Sequence, residues 1–195
     1  MTGKKLVVVA ALLVLILSTA GIAGAVTNGV PDGDAHPYVG LLVFDVEVCD
    51  EETGDCENQP MWRCSGALIA PKVVLTAGHC TDGAVAARIW FDEDVTYDNI
   101  PFPLYPYGGP GSGAMEGMPY TNPDFGSDDN PYGGGNGLPA FSYRDVGIVV
   151  LDEEVDVGGF AELPEAGLVD TLKNKTDVDL VGYGLRAPQL ADGLA

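Results

Sequence analysis

Cys64-Ser65-Gly66-Ala67-Leu68-Ile69-Ala70-Pro71-Lys72-Val73-Val74-Leu75-Thr76-Ala77-Gly78-His79-Cys80 is the stretch from which the fold can be read. Arg63 to Ala70 and Val73 to Ala77 read as two short strands around the turn Ala70-Pro71-Lys72. The second strand runs into the small pair Ala77-Gly78 and then His79. Small residues let the chain turn there and present the imidazole outward. Cys80, if bonded to Cys64, would clamp that turn. A histidine taken alone is usually incidental. Here a strand end and a cysteine flank it, and His36 is its only rival.

Outward from this stretch the pattern stays β. Tyr38 to Val48, Ala84 to Phe91, Val146 to Leu151 and Val178 to Tyr183 each read as a strand, being apolar and β-branched. Pro101 to Leu138 is rich in Gly, Pro, Tyr and Asn, shows no period and reads as one long loop. No segment sustains a 3.6-residue period. Short strands between turn signals indicate an all-β barrel or sandwich.

Composition narrows the function classes. The 195 residues carry 9 basic and 29 acidic side chains, a net charge of −20. Nucleic acid and anionic membrane surfaces are disfavoured, because both need clustered Lys and Arg. Asp45 to Glu57 holds seven acids and no base, and Asp92-Glu93-Asp94 and Asp128-Asp129 are further clusters. They read as solvated acidic surface, with Ca2+ as the alternative occupant. Lys4 and Lys5, the apolar run Leu6 to Leu17 and the A-x-A pattern Ala23-Gly24-Ala25 are a signal-peptide signature over residues 1–25. An uncleaved membrane anchor is the competing reading. Export, and no membrane attachment after cleavage, agree with four cysteines, Cys49, Cys56, Cys64 and Cys80. Three pairings are open. Cys49 and Cys56 flank the polar turn Asp50 to Asp55 and could close a hairpin, which leaves Cys64 with Cys80. A zinc site is disfavoured: there is no C-x-x-C and there are two histidines.

The stretch from Cys64 to Cys80 resembles the histidine motif of the trypsin/chymotrypsin family at seventeen consecutive positions. Gly78 stands where that family more often has alanine. Val26-Thr27-Asn28-Gly29 followed by His36-Pro37-Tyr38 resembles the family's mature N-terminus. Arg144-Asp145-Val146-Gly147-Ile148-Val149-Val150-Leu151 resembles its aspartate segment, with Gly147 in place of the usual alanine. Val181-Gly182-Tyr183-Gly184 resembles its Gly-aromatic-Gly strand. The order is right throughout, and the resemblance spans Val26 to Leu185.

The resemblance implies an all-β, chymotrypsin-like double β-barrel, with the first barrel complete and the second truncated. With the signal peptide (1–25) set apart, it divides the chain into an N-terminal barrel (26–160) and the start of a second barrel (161–195). It implies a Cys64–Cys80 disulfide beside the base, His79 as that base and Asp145 as its orienting acid. Val26 becomes the mature N-terminus if the signal peptide is cut after Ala25. The 66 positions between His79 and Asp145 exceed the family's usual spacing, and the excess lies in the Gly/Pro-rich loop, where added length is tolerated. The family's Gly-Asp-Ser-Gly-Gly stretch does not occur in these 195 residues, so the nucleophile is none in this chain. Ser112, in Gly111-Ser112-Gly113, has the local look of a nucleophile but falls in the loop. Ser65 and Ser142 match motif positions that are not nucleophiles. The expectation is a secreted serine endopeptidase acting on peptide or protein substrates, without metal or cofactor, and inactive as this chain stands. The alternative is a non-catalytic pseudo-protease or truncated binding module.

Overall fold

A computed structural model describes residues 29–126 and 144–184. The expected signal peptide, Val26 and Ser142 lie outside the described residues. A compact unit runs from Val30 to Tyr183.

Six antiparallel strands close into a barrel in the order β1-β2-β3-β6-β5-β4. They are β1 (Val39–Cys49), β2 (Cys56–Ala70), β3 (Val73–Thr76), β4 (Ala86–Trp90), β5 (Met115–Thr121) and β6 (Gly147–Leu151). β1 pairs with β2 on one side and β4 on the other, so closure leaves the sheet no edge. The fold is all-β, and this barrel is complete. Beyond β6 the described residues contain no further strand, only a helical turn at Leu168–Thr171 and irregular chain.

The strand alternation fills the barrel. Leu42 and Phe44 from β1, Leu68 from β2, Val74 from β3, Ala87 and Ile89 from β4, and Val149 and Leu151 from β6 form the interior cluster. The opposite faces of β1 and β4 are buried as well. Leu41, Val43 and Trp90 pack under Val95, Ile100 and Tyr105 from the segment that follows β4. That second layer is why Tyr38 to Val48 reads as a continuous apolar run instead of an alternating one.

Three expectations need correction. The long loop is interrupted by β5, which completes the barrel between β4 and β6. Its sequence, Met-Glu-Gly-Met-Pro-Tyr-Thr, carries two residues that normally argue against a strand. Gly117 is required by contact: a Cβ there would lie 2.5 Å from the Val150 carbonyl oxygen and 2.9 Å from Leu151 Cα. Pro119 lies past the end of the β4 ladder, which reaches only Met115 to Gly117. Second, Val178 to Tyr183 is not a strand. No partner strand lies beside it among the described residues, and Leu180 is 73% exposed. Third, the acidic run from Asp45 to Glu57 is not all solvated. Asp45 is 1% exposed and paired with Arg88 through both carboxylate oxygens. The remaining acids of the run stay exposed at the β1–β2 hairpin. This hairpin also lengthens β2, which starts at Cys56, seven residues before the expected Arg63.

Candidate active site

β3 ends at Thr76, and after Ala77 the four residues Gly78–Thr81 form a single helical turn, α1. Three ties fix it. Cys80 is bonded to Cys64 of β2. The Cys80 carbonyl accepts a hydrogen bond from Trp62 Nε1 at 2.8 Å. Asp82 N donates to the Gly78 carbonyl at 2.9 Å, closing the turn. The other disulfide joins Cys49 and Cys56, directly opposite each other across β1 and β2. All four sulfurs are therefore covalently paired and offer no thiolate to a metal, although Cys64, Cys80 and His79 lie close together.

Asp145 stands just ahead of β6. Val146 N donates to the Arg144 carbonyl at 2.7 Å, a γ-turn centred on Asp145. Arg144 has φ 54°, a left-handed conformation that is uncommon for a non-glycine residue. Its guanidinium pairs with Asp124, in the turn after β5. The segments before and after the undescribed part of the loop are thus tied together beside Asp145.

The structure brings His79 and Asp145 together across 66 positions. Asp145 Oδ2 lies 2.7 Å from His79 Nδ1, and Oδ1 accepts the His79 backbone N–H at 2.7 Å. Both carboxylate oxygens are spent on one residue, which fixes the turn and the ring at once. The Asp145 side chain is 16% exposed and that of His79 37%. With Nδ1 donating to the carboxylate, the neutral ring carries its lone pair on Nε2, which bonds no group among the described residues. His36 instead pairs with Asp32 in an N-terminal turn, Nδ1 to Oδ1 2.9 Å.

Neither described serine faces the imidazole. Ser65 Oγ accepts the Tyr183 backbone N–H at 2.8 Å. Ser112 is buried. Its hydroxyl donates to the Gly109 carbonyl at 2.7 Å and accepts from Ala114 N at 3.1 Å, while its own carbonyl accepts from Trp90 Nε1 at 3.0 Å. It is a turn residue that caps the outer cluster.

Sequence reasoning left out Thr81, the last residue of α1, and Thr121 and Phe125, which pack against α1. Thr81 Oγ1 donates to the Gly78 carbonyl at 3.1 Å and lies 2.9 Å from Thr121 Oγ1. A hydroxyl has one proton, so Thr121 is the donor in that second bond. Phe125 lies against Gly78. The glycines at 78 and 147, where alanine was expected, were the available signal.

No curated protein matches this chain. Among solved structures, HL collagenase is 18% identical with a TM-score of 0.40, the match covering 66% of this chain and 42% of the collagenase. A protein called GrC is 16% identical with a TM-score of 0.33, the match covering 67% of this chain and 42% of GrC. The chain thus spans less than half the length of either. The trypsin family model matches residues 52–100, which hold β2, β3, α1 and β4; Asp145 lies beyond them. The segment that carries both cysteines of the Cys64–Cys80 bridge and His79 falls within that match.

Proposed function

We propose that this chain is the base-bearing part of a serine endopeptidase, with His79 as general base and Asp145 as its orienting acid. The observation that carries this is the grip of both Asp145 oxygens on His79. That grip holds the ring in the Nδ1–H form and leaves Nε2 to accept a proton. A serine hydroxyl placed at Nε2 would give up its proton there as its oxygen attacks the scissile carbonyl. The imidazolium, stabilised by Asp145, then returns that proton to the leaving amine and leaves an acyl-enzyme for water to hydrolyse. The substrates on this reading are peptides or proteins.

The serine is not supplied by the described residues, both of whose serines are engaged elsewhere. No Gly-Asp-Ser-Gly-Gly stretch occurs in the 195 residues either, so this chain by itself is expected to hydrolyse no peptide. The same reading makes it exported, with residues 1–25 removed and Val26 as the mature N-terminus. Two disulfides fit an oxidising compartment.

The test has two arms. A fluorogenic peptide assay on the 195-residue chain should give the same background for wild type and His79→Ala. Turnover that disappears in His79→Ala would refute the inactivity. Reading the coding DNA past codon 195 should reveal a Gly-Asp-Ser-Gly-Gly stretch. A chain extended through it should hydrolyse the peptide and lose roughly a million-fold in kcat with His79→Ala. If no such stretch is encoded, the endopeptidase reading fails and a non-catalytic module takes its place.

A further inference from the structure

Two alanines expected from the family resemblance are glycines here, and both lie where α1 meets the start of β6. A Cβ at Gly147 would strike Thr81 Oγ1, and would lie 2.8 Å from both Thr81 Cγ2 and the Ala77 carbonyl oxygen. A Cβ at Gly78 would lie 2.9 Å from the Phe125 ring and 3.1 Å from Val146 N. The room left by the missing methyl at 147 is filled by the Thr81 side chain. Gly147 pairs with Thr76 of β3 on one side and Thr121 of β5 on the other. Thr81 is thereby bonded to Thr121 across the top of the strand that begins two residues after Asp145.

We propose that Thr81 and Thr121, seated against Gly147, are positioning residues that set the height of the His79 turn over Asp145. The chain of contacts is short. Thr121 donates to Thr81, and Thr81 donates to the Gly78 carbonyl. Gly78 precedes His79, whose backbone N–H and Nδ1 both meet Asp145. A hydroxyl pair anchored on β5 thus holds the turn in the one place where both bonds to Asp145 close. Neither threonine touches the reacting atoms. The inference rests on the reading of His79 and Asp145 as base and orienting acid, but its test needs no hydrolysis.

The test is NMR of the 15N-labelled 195-residue chain, following the downfield Nδ1 proton of His79 and its exchange with water. Thr81→Val keeps the shape and removes the hydroxyl. It should speed that exchange about fivefold or more, the effect of one lost hydrogen bond. Thr81→Ser should restore the wild-type rate. Thr121→Val, which leaves the Thr81–Gly78 bond in place, should speed it less than Thr81→Val, and the double variant should be no worse than Thr81→Val. Gly147→Ala should shift the resonance by pushing α1 away. Ile89→Val, a truncation in the barrel interior, controls for general loosening and should leave the proton unmoved at a comparable loss of Tm. Wild-type exchange in Thr81→Val, while Asp145→Asn abolishes the resonance, would overturn this proposal alone. So would an equal change in Ile89→Val. A resonance that survives Asp145→Asn would overturn both the proposal and the reading beneath it.

Discussion

Replacing Asp45 by asparagine should destabilise the barrel more than any other single loss of charge in the acidic run. Asp45 is fully enclosed and binds the Arg88 guanidinium through both oxygens, against Nη1 and Nη2. Arg88 has little else. Nη1 also donates to the Pro106 carbonyl at 2.9 Å, and Nε is buried without a hydrogen-bond partner. Asparagine keeps the shape but turns an NH2 group toward the cation and removes the compensating charge. Stripping one partner from a buried ion pair costs about 3–5 kcal/mol. With a urea slope of about 2 kcal/mol per molar, the unfolding midpoint should fall by roughly 2 M. Trp90 and Tyr105 sit in the same layer, ring centroids 5.5 Å apart, so tryptophan fluorescence during urea titration follows the change. Glu57→Gln, in the same acidic run but exposed, should stay within about 0.5 kcal/mol of wild type. The double variant Asp45→Leu/Arg88→Met removes both charges and should recover most of the loss. A midpoint for Asp45→Asn that coincides with that of Glu57→Gln would refute the reasoning.

Two further outcomes follow from the same geometry. Removing the Cys64–Cys80 bridge with alanines, which opens a loop of sequence separation 16, should cost about 3 kcal/mol and lower Tm by roughly 10 °C. Opening Cys49–Cys56, of separation 7, should cost less by under about 1 kcal/mol, and calorimetry showing the reverse order would contradict the loop-entropy account. At high pH, Tyr183 should weaken the fold: burial first, then the Asp92 charge, pushes its phenol from an ordinary 10.0 up to about 12. Its contribution is complete below the unfolded pKa and is lost as pH rises from about 10 toward 12, because the unfolded phenol ionises first. Urea midpoints from pH 9 to 12 should fall more steeply for wild type than for Tyr183→Phe, and parallel curves would exclude the effect.

What the sequence disclosed followed how local each signal is. His79 was legible because its strand, turn and cysteine neighbours are contiguous, and five of the six barrel strands were legible as apolar runs. β5 was hidden because its pairing dictates its residues. Gly117 is there for the approach of Val150, and Pro119 sits where the β4 ladder has ended. Propensity reads both as breakers, and only the closed barrel supplies the context that permits them. The opposite error at Val178 to Tyr183 has the same origin. An apolar β-branched run is a strand only when another strand takes its backbone hydrogen bonds, and no such partner is present among the described residues.

Asp45 was misread for a reason that the strand itself could have exposed. An acid in a run of seven looks solvated, and its partner lies 43 positions away. Yet Asp45 alternates with Leu41 and Val43 on one face, while Leu42 and Phe44 occupy the other. A strand apolar on both faces must be covered on both, and an acid on either face then needs a cation. Arg88 is the one charged residue within β4, the neighbour of β1, and it answers that need. The cover over this face also explains Ser112. Its flanking glycines, at φ 85° and 77°, bend the chain so that the Ser112 carbonyl meets Trp90 Nε1 at the end of the same layer. The glycines that gave Ser112 the look of an exposed nucleophile are the ones that turn it inward, and its hydroxyl is consumed in holding that turn.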